Sequence, residues 1–556
     1  MKYGTGTSTV AGRALRGGAL LLLTAAIAAC GGKQQGAPGW DRAVDAIPEH
    51  AAVGFASSPG ERDIARSRSM AELSPQVFGA SSLSPLFEGA PVVIDDEVGV
   101  SWSGEIAAFV RDDGAYLVAR VADGEAYTAA LREHVAQLSY GQVNERRALG
   151  GTLFTVPSAM GQSTDALVTG SWTIVRVGLV EDESAEVVEQ AISRVLRGEG
   201  GRAVDSGRAA SVRARLEADP RMLIWTDHAA LNAMMQPESP FGEAMQFLRG
   251  GLSMILRMPQ GEQPTQAECD AAGERIATMI PGLVAMSGGE DAEGRVRSAS
   301  TLYLSPQARE RASQTMRGTF ENLDTVAPDA ILATALTMDF GRMVANSTGS
   351  ASLMHCSNLG ALQGLMAAVV ATHGTRLRFN ARTVSGEVAF VLHGVNLEGL
   401  FPTVDAALVI GSPDPESLHT RIQRQLPSGA TAQVLPEASV PTVVYSLAPV
   451  QFFIQQFEDR LVLVMGNMPH DVVAGLATTP VGRVGQPATL AWLNGDRLSQ
   501  LLDDVDTYVE EMGMNGGMEA DAILGIFSYL RSLRNSRSEA VVGERGIEGH
   551  GLTEFR

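Results

Sequence analysis

Ala285-Met286-Ser287-Gly288-Gly289 comes within one residue of the Gly-x-Ser-x-Gly turn that presents a serine nucleophile. That turn needs a strand before it and a helix after it. The apolar spacing of Ile276, Met279, Ile280 and Leu283 instead predicts a helix ahead of Ser287, with Gly288-Gly289 as its cap and turn. Gly198-Glu-Gly-Gly-Arg-Ala203 has the spacing of a dinucleotide fingerprint, but it follows a helical pattern and reads as a loop. The nine histidines (His50, His134, His228, His355, His373, His393, His419, His470 and His550) never stand one, three or four residues apart, so none forms a helical or strand ligand pair. Asp503, Asp504, Asp506, Glu510 and Glu511 form an acidic helical face without the glycine and distal glutamate of a calcium loop. Asp95-Asp96-Glu97 reads as a turn between apolar strands. Lysine occurs only at positions 2 and 33, which excludes a Walker phosphate loop, a Schiff-base lysine, a Ser-Lys dyad and a protein kinase from the body. The sequence therefore predicts no catalytic residue, no metal and no cofactor. The methionines at 234, 235, 245, 254 and 258 are the one hint of an apolar groove.

One cysteine has a different context. Lys2, Arg13 and Arg16 precede an apolar run from Leu20 to Ile27, and the run ends in Ile27-Ala28-Ala29-Cys30-Gly31-Gly32. This is the order of an export signal: a positive start, a short apolar middle and a small-residue exit. The run is too short to span a bilayer, which needs roughly 20 residues. Ile27-Ala28-Ala29-Cys30 resembles the lipobox of bacterial lipoproteins. The resemblance implies cleavage before Cys30, acylation of that cysteine and stable anchoring in the cell envelope. Gly31 in place of an aspartate favours the outer membrane by the same resemblance. Residues 31–39 then read as a Gly/Gln/Pro tether.

The chain has 556 residues and a formal charge of −20. Loss of residues 1–29 removes three bases and no acid, which leaves 40 basic against 63 acidic residues. An acidic body argues against nucleic acid and against electrostatic attachment to anionic lipid. In an oxidising compartment Cys269 and Cys356 become candidates for a disulfide, with two buried free thiols as the alternative.

The body is too long for one core. Its commonest local pattern is strand, tight turn, strand, helix. Glu105–Arg111, Asp112-Asp113-Gly114 and Ala115–Val121 lead into a helix over Glu125–Leu138. Ala166–Thr169, Gly170-Ser171 and Trp172–Leu179 lead into one over Ala185–Leu196. Leu223-Ile-Trp225 through Leu231 echoes Leu490-Ala-Trp492 through Leu498, and strands near Ala51–Ala56 and Ala330–Leu336 could each open a copy. The expected architecture is α+β: antiparallel sheets with helices on one face, built by tandem duplication. Its expected segments are a signal peptide (1–29), the lipidated cysteine and tether (30–40), and two halves (41–320 and 326–556). The body resembles, by pattern alone, duplicated envelope domains of a family without an assigned function.

The expected function is that of a lipid-anchored, non-enzymatic envelope protein that binds or supports another envelope component, without nucleotide or nucleic acid. A lipid or lipoprotein carrier, using apolar helices in 229–286 and 351–372, is the alternative. A hydrolase with a motif-free site is a third. If Cys269 and Cys356 are joined, maleimide labelling of the denatured, unreduced chain leaves both unlabelled, and prior reduction exposes two new thiols. Labelling of both without reduction contradicts the pairing.

Overall fold

The computed structural model describes residues 40–73, 90–138, 143–157, 162–234, 265–316, 326–337, 386–397, 403–436, 440–479, 487–511 and 530–556. Positions 96, 102–103, 182 and 448–449 are excepted, and the single residues 236, 239 and 318 are included. The chain begins its first ten strands with β1 (Val53–Ser57), α1 (Glu61–Leu73), β2 (Ile106–Arg111), β3 (Gly114–Arg120), α2 (Gly124–Leu138), β4 (Asn144–Ala148), β5 (Gly151–Pro157), β6 (Gln162–Thr169) and β7 (Trp172–Glu181). It continues through α3 (Ala185–Leu196), α4 (Gly207–Leu216), β8 (Pro220–Asp227), α5 (His228–Met234), α6 (Gln266–Met279), β9 (Gly282–Gly288) and β10 (Arg295–Tyr303). After α7 (Pro306–Thr315) come β11 (Leu332–Thr337), β12 (Glu387–Asn396), β13 (Thr403–Gly411), α8 (Pro415–Gln425), β14 (Thr431–Leu435), β15 (Thr442–Leu447), β16 (Val450–Gln456) and β17 (Arg460–Met465). The last elements are α9 (His470–Thr478), β18 (Thr489–Asn494), α10 (Gly495–Glu511), β19 (Leu533–Val542) and β20 (Gly546–Phe555).

Local chemistry accounts for the elements. Asp112-Asp113 closes the β2–β3 hairpin, with Gly114 taking the wide φ of 154°. The β6–β7 turn needs Gly170, whose φ is +55°. Ser184 caps α3 by accepting from Val187 N, and Val188, Ala191, Ile192 and Val195 bury one stripe of that helix. Ser305-Pro306 and Asp414-Pro415 start α7 and α8 as cap and first-turn proline.

All named strands belong to one 20-stranded antiparallel sheet. Its first ten strands lie in the order β4-β5-β6-β7-β3-β2-β1-β8-β9-β10. The second ten lie in the order β14-β15-β16-β17-β13-β12-β11-β18-β19-β20. The two orders are the same, strand for strand. The blocks join where β10 pairs antiparallel with β20, the tenth strand of each. The pairing puts Ala299 opposite His550, and these two occupy equivalent places in their blocks. The seam is thus a local two-fold centred on that pair.

The Trp echo falls on equivalent positions. Trp225 faces Gly54 of β1, and Trp492 faces Ala333 of β11. Asp227 and Asn494 close the two strands in the same way. Asp227 N donates to Ala52 O and Asn494 N to Ile331 O, while their side chains accept from Ala230 N and Arg497 N.

Helices flank both faces of the sheet, where one face was expected. Ala107, Phe109, Tyr116 and Val118 pack with α3 and α4. Their neighbours Phe55, Leu117 and Ala119 pack with Tyr127, Leu131 and Val135 of α2 on the other face. The second block repeats this with α9 on one side and α8 on the other. Central strands such as β2 and β3 are buried on both sides, so they do not read as simple alternation.

Ser287 lies in β9, not beyond a helix end as its apolar spacing suggests. Pro281 cannot continue α6, and from Gly282 onward burial alternates with the period of a strand. Glycine at 282 is required because a Cβ there would stand 2.1 Å from Thr226 O.

Trp225 is fully buried, whereas Trp492 is half-buried. Trp225→Ala is expected to cost about 3–5 kcal/mol and Trp492→Ala clearly less. Denaturant unfolding of the two variants checks the order, and equal or reversed losses contradict it.

Candidate functional site

Cys30, both lysines and the tether lie outside the described residues. The first described residue is Trp40, which is 2% exposed. Its indole donates to Val195 O at 2.9 Å and meets Trp172 edge-on at 4.6 Å. Behind it, Glu105 Oε2 accepts from Ala43 N at 2.8 Å and from Ser58 Oγ at 3.0 Å. Glu105 Oε1 pairs with Arg120 at 2.9 Å, and Arg120 stacks over Trp172. Arg42 bridges Asp45 and Asp219. Residues 40–47 are therefore locked into the first core by aromatic packing and by one buried carboxylate shared among three donors.

The second concentration of polar chemistry is a row across the first block. From Trp225 the row runs through Gly54, Phe109, Tyr116, Arg176, Asp165 and Thr155. The Arg176 and Asp165 side chains are fully buried and 3.5 Å apart. Arg176 also grips Glu183 with both Nη atoms and donates to Asp113 O. Asp165 accepts from Thr155 at 2.9 Å and Ser163 at 3.1 Å. Burial pushes the Asp165 carboxyl above its ordinary value, against the pull of those hydroxyls and of Arg176. Burial is also the main cause raising the Tyr116 phenol, and the Asp113 charge adds to it. The Tyr116 hydroxyl meets no partner at full hydrogen-bond geometry.

The equivalent row of the second block, counted from Trp492, is Ala333, Val391, Ala407, Val464, Phe453 and Val444. Arg176 corresponds to Val464 and Asp165 to Phe453. The architecture does not require the charges, because the same fold closes on aliphatic and aromatic side chains in its other half. Buried ion pairs are commonly replaceable in this way at no loss of stability. Sequence reasoning missed the row. Its signal was a charged residue at an inward position of two apolar strands, Asp165 beside Ala166-Leu167-Val168 and Arg176 between Val175 and Val177.

The sequence candidates do not converge on a site. Ser287 stands in the ladder between Met222 and Ser298, and its strand turns into β10 rather than into a helix. Gly198 to Gly201 is a turn after α3, with Gly198, Gly200 and Gly201 at positive φ. Gly201 O accepts from Glu49 N, so the turn packs on the chain entry. Asp503 and Asp506 on α10 are both bridged by Arg531. Asp95 Oδ1 accepts from Glu97 N and Val98 N in a tight turn. His134 and His228 bond to the carbonyls of Ala90 and Ile280, His419 to the Tyr445 hydroxyl and His550 to Glu539. Burial lowers the pKa of both His228 and His419. His355 and His373 lie outside the described residues. Among the described residues no group of three or more His, Cys, Asp or Glu could hold a metal, and no helix is long and apolar enough to cross a membrane. Cys269 falls in α6, while Cys356, Met235, Met245, Met254, Met258 and the 351–372 segment lie outside the described residues. Met234 is buried against Ala52 and Val110. Compared with protein-family models, curated proteins and solved structures, the chain matches none.

An acid held above its ordinary value of 3.8 in the folded state favours folding below that value. The contribution is lost as pH rises through the raised folded value. Asp165→Asn is therefore expected to gain stability relative to the unsubstituted chain as pH rises from about 4 to 7. Arg176→Met, which strands two buried carboxylates, is expected to cost about 3–5 kcal/mol. Melting curves across that pH range check both, and a relative gain on going down in pH contradicts the first.

Proposed function

We propose that this chain is a lipid-anchored cell-envelope protein, acylated at Cys30, whose body is a tandem duplication (41–320 and 326–556) with a non-enzymatic role in binding or supporting another envelope component. The observation that carries the reading is the lipobox-like Ile27-Ala28-Ala29-Cys30 followed so soon by a locked entry at Trp40. Ten residue steps separate Cys30 from Trp40, so a lipid on the cysteine would hold the first core within roughly 33–36 Å of the bilayer surface. By the same resemblance to lipoproteins, Gly31 favours the outer membrane.

The duplication rests on the common strand order, the matching Trp225 and Trp492, and the shared capping by Asp227 and Asn494. A binding or scaffold role is supported by the shape. Twenty strands spaced about 4.8 Å apart follow a contour of roughly 90 Å across the sheet. It is supported also by the polar side chains, whose buried members mostly brace the fold: Glu105 holds the chain entry, and Arg176 holds Asp165 and Glu183.

Cys30→Ser, expressed in the native envelope with labelled palmitate, is expected to lose the label and move from the membrane to the soluble fraction. Retention in the membrane with unchanged mass contradicts the proposal.

A further inference from the structure

The 19 strand pairings leave β4 and β14 as the two edges of the described sheet. These are equivalent strands, yet the chain treats them differently. An open edge offers unpaired backbone groups to any passing strand, and charges are the usual defence. β4 reads Asn-Glu-Arg-Arg-Ala. Glu145 pairs with Arg132 of α2 through two hydrogen bonds, and Arg146 pairs with Glu189 of α3. β14 reads Thr-Ala-Gln-Val-Leu, without a charge.

The substitution is position for position. Glu145 faces Phe154 and Ala166 in successive strands, and Val434 faces Val443 and Ile454 at the same places. On the covering helix, Tyr127, Leu131 and Val135 correspond to Leu418, Ile422 and Leu426. The same count from the caps Asp123 and Asp414 sets Arg132 against Gln423. The ion pair that guards one edge is thus replaced by Val434 and Gln423 at the other. Val434 is 66% exposed, at the outer end of the apolar row Ile454-Val443-Val434.

We propose that β14 is a docking edge for a second copy of this chain, with the two β14 strands pairing antiparallel about a two-fold at Gln433. That register sets Ala432 against Val434 and Thr431 against Leu435, so each copy covers the other's exposed valine and no like charges meet. The chain already joins its own equivalent strands in this way, at the β10–β20 seam with Ala299 opposite His550. An acidic or basic strand would gain nothing at this neutral edge, whereas an identical neutral strand is its own complement.

The test uses the full chain, purified in detergent and also reconstituted in vesicles. Gln433→Cys places two thiols within the Cα separation a disulfide tolerates, so mild oxidation gives a covalent homodimer that the parent chain does not give. The double variant Val434→Glu with Gln423→Arg installs the guard found on β4. It is expected to weaken self-association about tenfold or more in sedimentation while its melting temperature holds. A parent chain that stays monomeric up to about 100 μM overturns the proposal. So does a Gln433→Cys product whose mass is not that of two chains, or a guarded double variant that folds and still dimerises as the parent does.

Discussion

The antiparallel pairing of β10 with β20 is the constraint on which the rest of the molecule depends. Without it the chain would be two ten-stranded sheets, each with an extra open edge. The pairing runs through nine residue pairs, from Arg295 opposite Glu554 to Tyr303 opposite Gly546. Side chains from the first block reinforce it. Arg215 of α4 reaches Glu548, Arg66 of α1 lies over the Phe555 ring, and Arg309 of α7 donates to Glu544 O. Two equivalent strands that meet on a local two-fold satisfy both edges at once, and so join two blocks of the same strand order into one continuous sheet.

The two blocks share a skeleton and differ in what fills it. The second closes its rows with small aliphatic residues such as Ala333, Val391, Ala407 and Val464. The first carries Trp40, Trp172 and Trp225 together with the buried charges of Arg176 and Asp165. It also contains α4, a helix between its seventh and eighth strands that packs on β9 and β10 and bears Arg208, which stacks over Trp225 and pairs with Asp227. The first block therefore holds the chain entry and the polar complexity, while the second presents the unguarded edge.

Local features were legible wherever a single residue type dictates the backbone. Asp-Gly at 113–114, Ser184 before α3 and Pro306 and Pro415 in first turns all mark their elements in the sequence. The Trp225 and Trp492 echo was legible because the same residue type stands at the same ladder position of both blocks, opposite Gly54 and Ala333. The β10–β20 seam was not. Its strands are polar, and β20 carries Gly546, Gly549 and Gly551, so neither shows the period that marks a buried strand. Ser287 was misplaced because Ile276, Met279, Ile280 and Leu283 fit a helical period straight across Pro281. The Asp165–Arg176 row was hidden for another reason: cross-strand neighbours on β6 and β7 stand eleven positions apart, and no local spacing links them.

Hydrogen exchange read by mass spectrometry on the intact chain tests the one-sheet account most directly. A central seam predicts that the backbone amides of 295–303 and 546–555 exchange slowly and together, as strands buried in the middle of a sheet do. Rapid exchange of both segments, with β2, β3, β12 and β13 still protected, would mean two separate sheets and would contradict it.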